Sequence, residues 1–228
     1  MSKFAPVIAI DGPSGSGKGT VSRALAARLG WYLLDSGALY RLVALAAARG
    51  QIALEDAEAL AAIARTMAVD FGPPDAGERV SLDGAEVTAA LRTESCGEAA
   101  SQVARLPAVR SALLDRQRRF ARSPGLVADG RDMGTVVFPD AVLKVFLTAS
   151  PGERARRRHK QLKEKGISVS LPGLSREIAE RDLRDASRPV APLKAAESAR
   201  VLDSTSLTPD EVVARIVAWL RRTDSESG

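Results

Sequence analysis

Gly12-Pro13-Ser14-Gly15-Ser16-Gly17-Lys18-Gly19-Thr20 narrows what this chain can become more than any other stretch. It follows the apolar run Val7–Ile10 and Asp11. It precedes a helical spacing of Val21, Leu25 and Leu29, closed by Gly30. A glycine-rich loop between strand and helix lets backbone N–H groups turn inward around phosphate oxygens, and the helix N-terminus adds its dipole. Lys18 supplies a mobile cation for the β- and γ-phosphates, so residues 12–20 predict a nucleotide site. The strict pattern has Ser or Thr directly after the lysine, whereas here Gly19 precedes Thr20.

The rest of the chain repeats that strand-then-helix order. Trp31–Leu34 reads as a strand, followed by a helix from about Ala38 to Arg49 and another over Leu54–Ala68. The texture then changes across 68–87: a Gly-Pro-Pro-Asp break at 72–75, β-like runs at Val69–Phe71 and Arg79–Leu82, and a hairpin turn at Asp83-Gly84. A helix resumes near Glu94, is interrupted by Pro107 and continues to about Arg122. Leu126–Ala128, Val142–Leu147 and Arg200–Leu202 read as further strands, and Leu207–Leu220 as the closing helix. Strands alternating with helices predict an α/β fold with a parallel sheet flanked by helices. The expected organisation is one domain over 1–222: a core of about 5–67, 98–150 and 189–222, a small β-rich insert at 68–97, a helical basic lid at 151–188, and a disordered tail at 223–228.

Composition removes several alternatives. One Cys (Cys96) and one His (His159) make neither an intrachain disulfide nor a Cys/His zinc site. The absence of any Asn removes the guanine-reading motif of GTPases. No basic segment leads an apolar one, and no apolar run approaches membrane-spanning length, so a cytoplasmic protein without membrane contact is expected. The net charge is +5, and the stretch Pro151–Lys165, with seven cations against Glu153 and Glu164, carries an excess of that same size. Such local density implies an anionic partner, a solvated helix face being the plainer alternative.

Three further segments are candidates for holding a second anionic ligand. Ser36 and Arg41 in Asp35–Arg41 stand at a strand end and helix start, where Ser36 serves as an N-cap and Arg41 reaches phosphate oxygens. Asp129–Thr135 (DGRDMGT) follows a strand, at the carboxyl edge where open α/β sheets bind ligands. Arg181, Asp185 and Arg188 share one helical face, with Pro189 limiting the helix. Arg154, Arg157 and Arg158 share another, which suits a mobile lid that meets a γ-phosphate.

Those segments, with Ser101–Arg110 (SQVARLPAVR) and Arg181–Leu193 (RDLRDASRPVAPL), resemble the bacterial cytidylate kinases from about Ile8 to Leu202, in the same order and spacing. The Gly-Lys-Gly-Thr form of the loop is also that of nucleoside monophosphate kinases. The resemblance implies a P-loop NTPase fold and transfer of a phosphoryl group from ATP, with Mg²⁺, to CMP or dCMP. It implies that Gly12–Thr20 bind ATP and that Ser36, Arg41 and Arg131 bind the acceptor phosphate. Ser101, Arg110, Asp132 and Arg188 would read the cytosine, and Arg181 and Asp185 the ribose.

Lys18, Arg131, Arg154, Arg157 and Arg158 are then the expected catalytic cations, and Thr20 and Asp129 the candidates for Mg²⁺, directly or through water. The chain is expected to act as a monomer with no nucleic-acid partner. Two other readings stay open: a kinase of the same fold acting on UMP or AMP, and a basic nucleic-acid-binding module with a regulatory P-loop. The nine aromatics, 4% of residues, offer the latter little base stacking.

Overall fold

The computed structural model describes residues 5–71, 79–164 and 166–226. The Gly-Pro-Pro-Asp break expected at 72–75 lies outside them. Two compact units form. One comprises the chain up to Asp35 and from Arg118 onward, and the other is Ser36–Gln117. The sequence predicts a single domain with its insert at 68–97.

In the first unit, β1 (Val7–Asp11) is buried along its whole length. A continuous apolar run of this kind belongs to a parallel strand covered on both faces. It is a central strand of a five-stranded parallel sheet with β2 (Tyr32–Asp35), β6 (Leu126–Gly130), β7 (Leu143–Thr148) and β8 (Arg200–Asp203), in the order β2-β6-β1-β7-β8. Register sets Asp11 opposite Gly130 and Asp35 opposite Asp129, so the acidic carboxyl ends of three strands line one edge. Helices α1 (Lys18–Leu29) and α9 (Pro209–Glu226) pack Val21, Leu25, Val213 and Ile216 with Ile8, Ile10, Val145 and Leu147. Gly30, in left-handed conformation, ends α1 as its sequence predicts.

Two more helices, α7 (Pro151–Glu164) and α8 (Leu171–Ala186), pack on each other across the stretch where a helical lid is expected. Helix α8 stops at Ala186, so Arg188 stands beyond the helix rather than on its face. Pro189 disfavours helical backbone at the residue before it, which moves the end upstream. At the other extreme α9 runs to Glu226, through part of the tail expected to be disordered. No Gly or Pro interrupts those positions, and a helix already nucleated propagates through polar residues.

The second unit holds α2 (Ser36–Arg49), α3 (Ala57–Thr66), α4 (Thr88–Leu91), α5 (Glu94–Val103) and α6 (Pro107–Arg118). Asp56 caps α3 by accepting from the Ala59 amide at 3.0 Å, which fixes its start later than Leu54. A three-stranded antiparallel sheet is formed by β3 (Val69–Phe71), β4 (Val80–Leu82) and β5 (Ala85–Glu86). Asp83 and Gly84 take φ of 51° and 82° between Leu82 and Ala85, the two-residue turn that their sequence predicts.

Candidate active site

The P-loop backbone is shaped by what it cannot accommodate. Gly12 has φ 150°, and a Cβ there would stand 2.0 Å from the Leu147 carbonyl oxygen on β7, so only glycine passes. Lys18, 5% exposed, folds back to donate to the Pro13 carbonyl at 2.7 Å. Burial, and then the charge of Arg131, push its ammonium down to about 7, with Asp129 pulling the other way. A phosphate arriving in the loop restores the missing counter-charge.

Asp129, at the end of β6, is pushed up to about 6 by burial, against the pull of Lys18. Next to it Arg131 donates through Nε to Asp185 Oδ2 at 3.0 Å. Burial works against the Arg131 charge, but Asp185 and Asp129 outweigh it and hold the guanidinium more firmly protonated. Asp185, 1% exposed, also accepts from Arg188. Its burial is outweighed by Arg131, Arg188 and Arg181, which keep it well ionised. Asp132 is buried where a π-helical turn, Met133–Val137, begins. The first unit thus gathers Lys18, Asp129, Arg131, Arg181, Asp185 and Arg188 as one field of coupled charges.

The arginines of α7 divide. Arg154, expected on a mobile face, is buried and donates to the carbonyls of Ala149 at 3.2 Å and Ser14 at 3.1 Å, and to Asp182 at 2.6 Å. Arg157 donates to the Ser16 carbonyl at 3.2 Å and to Glu153 Oε1 at 3.0 Å. Both brace the loop in this state, because unsatisfied P-loop carbonyls attract the nearest donors. Arg158 instead lies along the helix, donating to Gln161 at 2.5 Å.

In the second unit Ser36 and Arg41 both lie on α2. Ser36 is the helix's first residue rather than its cap, and its hydroxyl donates to Gln117 Oε1 at 2.8 Å. Arg41 donates to the Leu91 carbonyl at 2.6 Å. Arg110 on α6 sits over the Tyr40 ring, 5.9 Å from its centroid, and donates to the Ala104 carbonyl at 3.2 Å. Ser101 on α5 is buried and its Oγ meets no hydrogen-bond partner among the described residues. A buried orphan hydroxyl of this kind suits a ligand contact. Cys96 is buried, and that burial pushes its thiol up against the opposing charge of Arg41.

Three polar residues that sequence reasoning passed over belong to this machinery. Asp11 accepts from the amides of Met133 and Gly134, each at 2.8 Å, and so fixes the start of the π-helical turn beside Asp132. Ser204 packs against the P-loop carbonyl of Ser16. Gln117 receives Ser36. An acidic residue directly before the glycine-rich loop was the one local signal for Asp11; the other two had none.

Among the described residues no cluster of three or more His, Cys, Asp or Glu side chains is gathered to cage a metal. The Asp129 carboxylate lies over Gly19, 3.5 Å from where a Cβ would stand, one residue from Thr20. One carboxylate and one hydroxyl at a phosphate cradle fit a hard divalent cation held mainly by phosphate and water oxygens.

A parallel sheet whose first strand feeds a phosphate cradle, with buried cations around it, defines a P-loop nucleotide-binding protein. The family model described as cytidylate kinase matches residues 8–222. A cytidylate kinase of Nitrosococcus oceani is 57% identical over 96% of this chain and 98% of its own. One of Pseudomonas aeruginosa is 58% identical over 97% and 98%. A solved structure of an uncharacterized protein from Eubacterium ventriosum shares the fold, with a TM-score of 0.52 at 13% identity over 95% of this chain and 98% of that one. The chain belongs to the cytidylate kinase family. No helix among the described residues is long and apolar enough to cross a membrane.

Proposed function

We propose that this chain transfers the γ-phosphoryl group of Mg-ATP to CMP and dCMP, giving ADP and the cytidine diphosphates, as a cytoplasmic monomer. The observation that carries the reading is the pairing, within the family match, of the Lys18 cradle that follows β1 with the buried Asp132 beyond the adjoining strand β6. Cytosine offers an amino donor at position 4 where uracil offers a carbonyl acceptor. A buried carboxylate accepts from the first and opposes lone pair to lone pair in the second, and such contacts discriminate strongly.

Gly12–Thr20 are assigned to ATP. The acceptor is assigned Ser36, Arg41, Ser101 and Arg110 on the second unit, and Arg131, Asp132, Arg181, Asp185 and Arg188 on the first. Phosphoryl transfer asks for alignment and charge stabilisation more than for covalent chemistry from the protein. Lys18, Arg131 and Arg158 supply cations to the transferring group, while Arg154 and Arg157 hold the loop that presents it. Asp129 and Thr20 would hold Mg²⁺, directly or through water, and the ion would neutralise charge between the β- and γ-oxygens. No general base is needed, because the acceptor phosphate, with a second pKa of about 6, is already mostly ionised near pH 7.

The test is ADP formation from Mg-ATP with CMP, dCMP, UMP and AMP, compared by kcat/KM. Cytosine nucleotides should be preferred by orders of magnitude. A flat profile, or preference for UMP or AMP, would overturn the acceptor assignment while leaving the kinase class intact.

A further inference from the structure

Gln117 is 2% exposed at the end of α6, and its Oε1 receives the Ser36 hydroxyl at 2.8 Å across 81 positions of sequence. Ser36 itself is 3% exposed. A serine hydroxyl has one proton. Given to Gln117, that proton leaves only lone pairs on Ser36 Oγ, and phosphate oxygens are acceptors as well. In the arrangement seen, Ser36 therefore has nothing to donate to a phosphate at the α2 N-terminus.

A carboxamide can reverse this. Its terminal torsion is broad and nearly two-fold, so turning it over replaces Oε1 with the Nε2 donor at almost the same point. Nε2–H then occupies a lone pair of Ser36 Oγ, and the hydroxyl proton is free to meet the phosphate. Glutamate in that place could only accept, and methionine could do neither.

We infer that Gln117 is a positioning residue for the acceptor: with its amide N–H turned to Ser36 Oγ, it directs the Ser36 proton onto the acceptor phosphate. The inference rests on the assignment of Ser36 to that phosphate made above.

The experiment uses the full chain and its variants S36A, Q117M, Q117E, S36A/Q117M and S36A/Q117E, read by steady-state kinetics with Mg-ATP and CMP and by thermal unfolding. Q117M should raise KM for CMP about tenfold, the loss of one hydrogen bond to a charged group, with KM for ATP unchanged. On the S36A background Q117M should add nothing. Q117E should unfold no earlier than Q117M yet raise KM for CMP further, by more than the added charge alone does in S36A/Q117E.

A purely structural role reverses that order, since glutamate preserves the Ser36 hydrogen bond and methionine removes it. Unchanged CMP kinetics in Q117M, or an undiminished Q117M effect on the S36A background, would overturn the inference alone. An unaltered KM for CMP in S36A would overturn the Ser36 assignment and the inference with it.

Discussion

The Ser204 hydroxyl lies 3.0 Å from the carbonyl oxygen of Ser16, 188 positions earlier in the chain. Arg157 closes the arrangement, donating to Ser204 Oγ at 3.0 Å and to the Ser204 carbonyl at 2.6 Å, besides the Ser16 carbonyl. In a planar trans peptide the carbonyl and the following N–H point opposite ways. Fixing the Ser16 carbonyl against these donors therefore fixes the Gly17 N–H in the opposite direction. Arg154 does the same for Ser14 and Gly15. The inward aim of the P-loop amides is held from behind by residues that need never touch nucleotide.

Removing that support should act on ATP and not on the acceptor. S204A and R157M are each expected to raise the dissociation constant for ATP by about three- to tenfold, the range for one or two lost hydrogen bonds. CMP affinity should stay unchanged. Separate titrations of each ligand check this, and an equal loss for both would show that the brace serves the whole fold.

Arg154 and Arg158 share a helix but should fail differently when truncated. R154A strips donors from the carbonyls of Ala149 and Ser14 and leaves Asp182 without its partner, so stability should fall by about 2–3 kcal/mol. R158A removes a cation assigned to the transferring phosphoryl group, so kcat should drop more than affinity for CMP. Denaturant unfolding beside steady-state kinetics separates the two.

What sequence could read was local. The P-loop, the Gly30 cap and the Asp83-Gly84 hairpin follow from neighbouring residues whose conformations are dictated on the spot. The shared face of Arg154 and Arg157 was also legible, but not what lies opposite it: their partners Ser14, Ser16 and Ser204 arrive from distant positions. Ser36 reads as an N-cap because helix starts favour serine, yet the partner it takes comes from α6. Arg188 was extrapolated along a helix that Pro189 ends early. Contacts such as Ser204 with Ser16 and Asp11 with Gly134 leave no periodic trace, because each is made once by folding.

Asp11→Asn tests whether the first strand positions the base-reading turn. The carboxylate accepts from two amides at once, and an amide side chain can accept from only one while facing the other with N–H. The orphaned buried donor should cost about 1–3 kcal/mol. Because Asp132 directly precedes Met133, KM for CMP should rise while the preference for CMP over UMP narrows. Unfolding and the CMP/UMP ratio of kcat/KM check this; lost stability with an intact ratio would confine Asp11 to the fold.

Lys18 should make ATP binding depend on pH near neutrality. In the free chain its ammonium is held down to about 7, from 10.5, by burial and then by Arg131. The folded chain therefore binds fewer protons than the unfolded one between about 7 and 10.5, and this residue's contribution to stability rises with pH across that window. Asp11 and Asp129, both raised from 3.8 to about 6 chiefly by burial, act oppositely. There the folded chain holds more protons, and their contribution falls between 3.8 and about 6. Bound phosphate favours charged Lys18, so ATP binding should take up a proton above pH 7, and affinity should weaken by up to about tenfold per unit toward pH 9. Calorimetry in buffers of different ionisation enthalpy counts that proton. In K18R, whose guanidinium stays charged throughout, the proton uptake and the slope should both vanish. If the slope persists in K18R, Lys18 is not its source, and the titration of ATP or of another group must carry it.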